Sequence, residues 1–282
     1  MTRLFGVIGS PISHSLSPAM HTAALQAMRL DALYGAFEVP PRFLKPILRA
    51  LILAGVEGLN VTVPLKEAVL PLLDRLDPAA KAVGAVNTIV IRNRRTTGYN
   101  TDGRGFVLAL KELGWWPRPT CTVILGAGGA ARAVAWELSR VAGSCLTIAN
   151  RHVGRAQRLA RWLSRHRSRV CVRAIALHEV RLDEADMLVN ATIVGMRAAD
   201  PLLIDPRTLR AGMLVYDLVY HRETALVRAA RRRGCVAANG LSMLLYQGAE
   251  SLRLWLRRPP PVDMMRRTLL KAVESGKLKV ER

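Results

Sequence analysis

Between Cys121 and Arg151 the chain passes through a short apolar run, a glycine-rich turn, an alanine-rich stretch and a second apolar run, and that order restricts the folds open to it. Cys121-Thr-Val-Ile-Leu125 is partly β-branched, has the length of a strand and enters glycine at once, the pattern of a strand buried on both faces. Gly126-Ala127-Gly128-Gly129-Ala130-Ala131 follows, and the segment from Ala130 to Val141 has the composition and spacing of a helix. The first glycine permits a tight turn and the second lets backbone approach a pyrophosphate. Ala131, small and third in the pattern, lets the helix pack closely on the strand. The helix N-terminus offers free amides to phosphate. Gly126, Ala127, Gly128, Gly129 and Ala130 are therefore the expected pyrophosphate-binding residues of a dinucleotide site.

Cys145-Leu-Thr-Ile-Ala149 predicts the next strand, which ends in Asn150-Arg151. An NAD-binding unit usually carries a carboxylate there for the ribose 2′-hydroxyl. Arginine at that place, with Arg155 one turn along the following helix, instead suits a 2′-phosphate through charge-assisted bonds. The expected cofactor is NADP, with Asn150, Arg151 and Arg155 around its 2′-phosphate.

With 282 residues, half of them hydrophobic, the chain is long enough for about two domains with cores of their own. Its formal net charge of +21 comes from 35 arginines and seven lysines. The arginines are spread along the chain and cluster at 151–173, 228–233 and 253–267, without interleaved aromatics, so stacking on single-stranded nucleic acid is not signalled. Non-specific adhesion to polyanions at low salt follows from the charge alone; no specific nucleic acid partner is expected. Cys121, Cys145, Cys171 and Cys235 form no metal-ligand spacing, and three of them lie in strand-like runs, which predicts buried free thiols and no metal. Leu4 to Ile8 is too short for a signal-peptide core, and no apolar run has the length of a membrane span. A reducing, cytoplasmic setting without membrane contact is expected.

The N-terminal third alternates strand and helix patterns, as an α/β unit of its own does. Leu4 to Ile8 predicts a strand, after which Ser17-Pro18 reads as an N-cap followed by proline at the first helical position. Ser15 and Ser17 then sit at a positive helix end, where two hydroxyls beside free amides suit a carboxylate; a plain cap accounts for one serine only. Pro41 to Ala54 predicts a helix with Leu44, Ile47, Leu48 and Leu51 on one face, and Asn60 to Val63 a strand stopped by Pro64. Lys66 falls at the start of the next helix, where the helix dipole disfavours it, which invites a reason other than stability; taken alone it reads as a solvated surface residue. Gly84 to Ile91 predicts a strand with Asn87 near its start. Asp102 lies in a glycine-bounded turn before a helix over Arg104 to Leu113. Beyond Arg151 come a helix to about Arg165, strands at 170–175, 187–190 and 214–218, and helices at 224–233, 240–257 and 264–273 before a polar tail.

Taken in order, the segments GSPISHSLSPAMH, NVTVPLKE, GAVNT, GYNTDG, GAGGAARA with NR, NATIVGM, YDLVY and GLSMLLYQGA resemble the shikimate dehydrogenases, NADP-linked oxidoreductases of aromatic amino-acid biosynthesis. The resemblance covers nearly the whole chain. It implies two α/β domains, an N-terminal substrate-binding domain over 1–102 completed by helices over 239–282, and a doubly wound Rossmann NADP-binding domain over 103–238, with the active cleft between them. It further implies that Lys66 and Asp102 are the catalytic pair. Ser15, Ser17, Thr62, Asn87, Tyr220 and Gln247, with Lys66 and Asp102, would hold the substrate, and Leu218 and Gly240 would line the nicotinamide. The chain departs from the family pattern at Thr22, Ile193, Arg222 and Ala225; Ile193 changes the shape of the segment beside the nicotinamide, and the two lost prolines loosen the loop after Tyr220.

The implied reaction is reversible NADPH reduction of 3-dehydroshikimate to shikimate, with Lys66 supplying the proton and Asp102 fixing it, by a monomer or homodimer. Two alternatives remain open at this point. One is a quinate/shikimate dehydrogenase or a paralogue acting on an amino-substituted relative. The other is a non-catalytic nucleotide-binding or polyanion-binding protein, against which Lys66 and Asp102 speak.

Overall fold

The computed structural model describes residues 2–167 and 170–275. They divide between two compact units, one running to Gly105 and resuming at Leu245, the other Phe106–Leu244. The polar tail expected at the C-terminus lies, from residue 276 on, outside the described residues.

The first unit opens with β1 (Arg3–Gly9), α1 (Ser17–Ala27), β2 (Ala32–Glu38), a 3-10 turn at Pro41–Phe43 and α2 (Leu44–Leu53). It continues with β3 (Val56–Val61), α3 (Leu65–Ala68), β4 (Arg75–Leu76), α4 (Pro78–Val83), β5 (Thr88–Arg92), β6 (Arg95–Tyr99) and the start of α5 (Asp102–Glu112). Its six strands pair in the order β2-β1-β3-β5-β6-β4. The β1, β2 and β3 strands are parallel, as their helical crossovers require, whereas β5 runs antiparallel to both β3 and β6. Asn93 and Arg94 turn the β5–β6 hairpin with positive φ at both positions, the backbone of a two-residue turn matched to strand twist. Ile8, Leu59, Val61 and Ile89 from the sheet meet Leu44 and Leu48 of α2, Leu65 of α3 and Val69 just after it in one core. β3 begins at Val56 rather than at Asn60, because the chain enters the sheet directly after the positive-φ turn at Gly55.

The second unit contains β7 (Cys121–Leu125), α6 (Gly129–Leu138), β8 (Cys145–Asn150), α7 (Val153–His166), β9 (Cys171–Ala176), β10 (Met187–Asn190), β11 (Leu214–Asp217), α8 (Ala225–Arg232) and β12 (Val236–Asn239). The sheet order is β12-β11-β10-β7-β8-β9, parallel throughout. Counted from its own first strand, that is the doubly wound order 3-2-1-4-5-6, whose ligand crevice lies at the carboxyl ends where the order reverses, here between β7 and β10. Sequence patterning gave no sign of β12, which is short and built largely of alanine between Gly234 and Gly240. The chain ends in α9 (Leu241–Leu256) and α10 (Val262–Glu274), and within the first unit α10 packs on α1.

The cysteines differ from expectation. Cys121 and Cys145 are registered opposite each other on parallel neighbours β7 and β8, with Cα atoms 4.5 Å apart, and they form a disulfide. Cys171 is registered beside Cys145 on β9 and is exposed; only Cys235 is a buried free thiol. Cross-strand register, which spacing along the chain does not reveal, places these side chains together.

Candidate functional site

In the first unit the polar residues singled out from the sequence converge on Asp102, the first residue of α5. Lys66, in α3, reaches it with Nζ 2.5 Å from Asp102 Oδ2. The Lys66 side chain is 15% exposed and that of Asp102 6%, so this is a largely dehydrated ion pair. Such a pair is held only where further hydrogen bonds satisfy it. Asn87, just before β5, supplies one by donating from Nδ2 to Asp102 Oδ1 at 2.8 Å. The same amide lies within reach of Thr101 Oγ1 at 2.8 Å and Gln247 Oε1 at 3.1 Å. Asn87 Oδ1 in turn accepts from the Thr101 backbone N–H at 2.7 Å. Backbone fixes the lysine as well, since Val86 N donates to Lys66 O at 2.8 Å. Because α3 has only four residues, the dipole argument against a lysine there carries little weight; its carboxylate partner accounts for the position.

Behind this cluster lies a buried network that the sequence did not announce. Ser251 Oγ meets Thr88 Oγ1 at 2.7 Å, Gln247 O at 2.9 Å and Asn60 Nδ2 at 3.0 Å. Asn60 Oδ1 accepts from Tyr34 Oη at 2.7 Å, and the Tyr34 ring stacks on His21 at 4.5 Å between centroids. His21 is fully buried, neither ring nitrogen has a partner among the described residues, and burial lowers its pKa to about 3. The only local sign of Thr101 was its place beside Asp102. Asn60, Thr88 and Ser251 look in sequence like any polar residue of a half-exposed element.

The serines occupy the loop that leaves β1. Ser17 opens α1 and is buried, but the N-cap is Leu16, whose apolar side chain makes no capping bond. The expected Ser17 cap is thus absent, because the helix begins one residue earlier than Ser17-Pro18 suggested. Ser15 Oγ accepts from the Ser17 backbone N–H at 3.3 Å. Thr62 follows β3, which is parallel to and registered with β1, so both segments leave the same end of the sheet. Among the described residues Ser15, Ser17 and Thr62 make no side-chain hydrogen bond to Lys66 or Asp102; the hydrogen-bonded group is Lys66, Asn87, Thr101, Asp102 and Gln247.

In the second unit Gly126 closes β7 with φ +107, and a Cβ there would lie 2.9 Å from Ala191 O. Gly128 is the N-cap of α6, with open space where its Cβ would be, so backbone is accessible at the helix N-terminus. Ala131 is fully buried and lets α6 sit against the sheet. No side chain caps α6, which leaves first-turn amides for a pyrophosphate at Gly126 to Ala130. At the end of β8, Asn150 donates from Nδ2 to His152 O at 3.0 Å. Arg151 and Arg155 are exposed, and no ion pair holds either guanidinium among the described residues. Gly240 is required for close approach, since a Cβ there would lie 2.2 Å from Leu218 O. Leu218 and Tyr220 are half-buried on either side of buried Val219, and Ile193 is exposed. These residues fit an NADP molecule laid along the carboxyl ends of β7, β8, β10 and β11.

Three family matches cover the chain in sequence. Residues 7–89 match the shikimate dehydrogenase substrate binding domain, 108–203 the shikimate / quinate 5-dehydrogenase family and 240–270 the shikimate 5′-dehydrogenase C-terminal domain. A shikimate dehydrogenase (NADP(+)) of Rubrobacter xylanophilus is 48% identical over 95% of both chains. A crystal structure of a shikimate dehydrogenase in complex with NADP+ superposes with a TM-score of 0.90 at 37% identity, covering 96% of each chain. A quinate dehydrogenase from Corynebacterium glutamicum in complex with NAD gives 0.87 at 35% identity, covering 96% of this chain and 99% of the other. With these sequence matches spanning both units, and with the glycine turn and the Lys66–Asp102 pair in place, the chain belongs to the shikimate dehydrogenase family.

Proposed function

We propose that this protein catalyses the reversible, NADPH-dependent reduction of 3-dehydroshikimate to shikimate, with substrate held in the first unit and cofactor in the second. The observation that carries the reading is the dehydrated Lys66–Asp102 pair braced by Asn87. When bound, the reduced nicotinamide supplies hydride to the C3 carbonyl carbon. The carbonyl oxygen then gains an electron pair and needs a proton from a donor within hydrogen-bond reach. Lys66 Nζ gives that proton, and in the reverse direction takes it from the shikimate hydroxyl. Asp102 aims the ammonium and accepts from a ring hydroxyl, while Asn87 and Gln247 orient the neighbouring hydroxyls. Ser15 and Ser17 take the substrate carboxylate, a role supported by the Ser17 hydroxyl not being spent on a cap. Thr62 and Tyr220 complete the substrate contacts. Leu218 and Gly240 line the nicotinamide, and Arg151, Arg155 and Asn150 receive the 2′-phosphate. The reading keeps a cytoplasmic enzyme, monomer or homodimer, which sedimentation would check.

Quinate is the alternative substrate, because the chain resembles a quinate dehydrogenase almost as well. Initial rates for shikimate and quinate, each with NADP and with NAD, test the proposal. Fast turnover confined to shikimate with NADP supports it. Preference for quinate or NAD overturns the substrate or cofactor assignment, and no turnover in folded, NADP-binding protein overturns the activity.

A further inference from the structure

Asp217 ends β11, is fully buried, and takes no part in the chemistry described above. Its carboxylate accepts from three separate segments. Oδ1 accepts from Asn190 Nδ2 at 2.9 Å and from the Val219 backbone N–H at 3.1 Å, and Oδ2 from Thr224 Oγ1 at 2.6 Å. Each donor governs a loop. Asn190 closes β10 and organises the segment after it, donating to Val194 O at 3.0 Å and accepting from Thr192 Oγ1 at 2.7 Å. Thr224 caps α8 by accepting from the Val227 N–H at 3.2 Å. Val219 lies between Leu218 and Tyr220, and its carbonyl accepts from the Gly240 N–H at 3.2 Å.

We infer that Asp217 is a positioning residue for the nicotinamide end of the cofactor site: one buried carboxylate sets the loops after β10 and β11, and through Val219 it presents Leu218 and Tyr220. The inference rests on the cofactor placement proposed above. Three features favour this over a purely structural role. The tied loops leave the carboxyl ends of β10 and β11, with β10 on one side of the sheet's switch point, where a doubly wound sheet binds its ligand. The carboxylate ties the carboxyl ends of β10 and β11 to the N-cap of α8, and on either side of its Val219 partner stand the half-buried Leu218 and Tyr220. Burial, opposed by the three donors, raises the carboxyl above the usual range. That group therefore contributes less stability as pH rises through its folded value, which is the reverse of what a stabilising carboxylate does. Hydride transfer tolerates little misplacement, so a fixed loop at this end bears on rate rather than on adenosine binding.

Asp217→Ala, Asp217→Asn and wild type are compared by single-turnover hydride transfer and by affinity for adenosine 2′,5′-bisphosphate, which reports the adenosine half alone. Asp217→Ala is expected to slow hydride transfer about tenfold or more, as loss of alignment does. Bisphosphate affinity should stay within about twofold, the sites being separate. Asp217→Asn should recover most of the rate, since its amide can still accept from Val219 and donate to the Thr224 hydroxyl. A wild-type rate in Asp217→Ala would overturn the inference, as would bisphosphate affinity falling in step with rate. If Asp217→Ala does not fold, Thr224→Val decides: about threefold slower transfer with intact bisphosphate affinity supports the role, and an unchanged rate removes it. A wild-type protein without turnover would instead remove the activity on which the assignment rests.

Discussion

The two units prepare for their ligands in opposite ways. In the first, Lys66, Asp102, Asn87, Thr101 and Gln247 are bonded to one another and largely buried before any substrate arrives. In the second, Arg151 and Arg155 are exposed and have no ion-pair partner among the described residues, and Gly126 and Gly128 contribute backbone and room rather than side chains. The difference follows from what each must do. A proton donor must be fixed to within a fraction of an ångström of an oxygen that changes charge, and that calls for a dry, mutually satisfied cluster. A dinucleotide brings its own phosphates, so the protein needs only free amides and free guanidiniums for the ligand to complete.

Damage to the pre-bonded cluster should therefore strike turnover, and damage to the open site should strike cofactor affinity. The largest effect is expected from Asp102→Ala, which leaves Lys66 without its carboxylate. Turnover should fall about a hundredfold or more, on the usual size of acid–base effects, while NADP binding by fluorescence titration stays as in wild type. Equal loss of NADP affinity would break the contrast. Next, Arg151→Ala combined with Arg155→Ala should raise the KM for NADP about tenfold to a hundredfold and leave the KM for NAD nearly unchanged, because charge-assisted phosphate bonds are the ones removed. A parallel rise for both cofactors would place the 2′-phosphate elsewhere. A smaller loss, about tenfold in kcat/KM for shikimate, is expected for Thr101→Val, which deprives Asn87 and Gln247 of a buried hydroxyl.

The smallest effect concerns stability. His21 is buried neutral, with a folded pKa of about 3 against 6.5 for the free side chain. A depressed histidine contributes stability that is complete above about pH 6.5 and lost as pH falls towards 3, because the unfolded chain takes up the proton first. Thermal midpoints measured across that window should fall with pH in wild type and fall less in His21→Phe, whose ring keeps the stack on Tyr34. Parallel curves would show that His21 is not the group responsible.

Legibility in the sequence divided along the same line. The open site could be read from local order, because a strand, a glycine turn, a helix and an arginine at the next strand end are consecutive, and each does its work through backbone or position. In the first unit, Lys66 stands out locally only by its place at a helix start, and its pairing with Asp102 only through the family resemblance, because their contact joins segments 36 residues apart. Asn60, Thr88, Thr101 and Ser251 were not found, since nothing local distinguishes a polar side chain that faces a buried network from one that faces water. Ser17-Pro18 looks like a cap in sequence, yet Leu16, without a capping group, starts the helix. The Cys121–Cys145 disulfide was missed because strand register, fixed by the whole sheet, decides which cysteines are neighbours. β12 was missed because alanine carries little strand signal.

Lys66 as the proton donor is the one role that the proposed NADP-linked reduction cannot do without. Lys66→Ala should bind shikimate and NADP within about threefold of wild type, yet turn over about a hundredfold more slowly or worse, measured by reduced-cofactor absorbance in the same protein preparation. Turnover within a few-fold of wild type, with both ligands still bound, would contradict it.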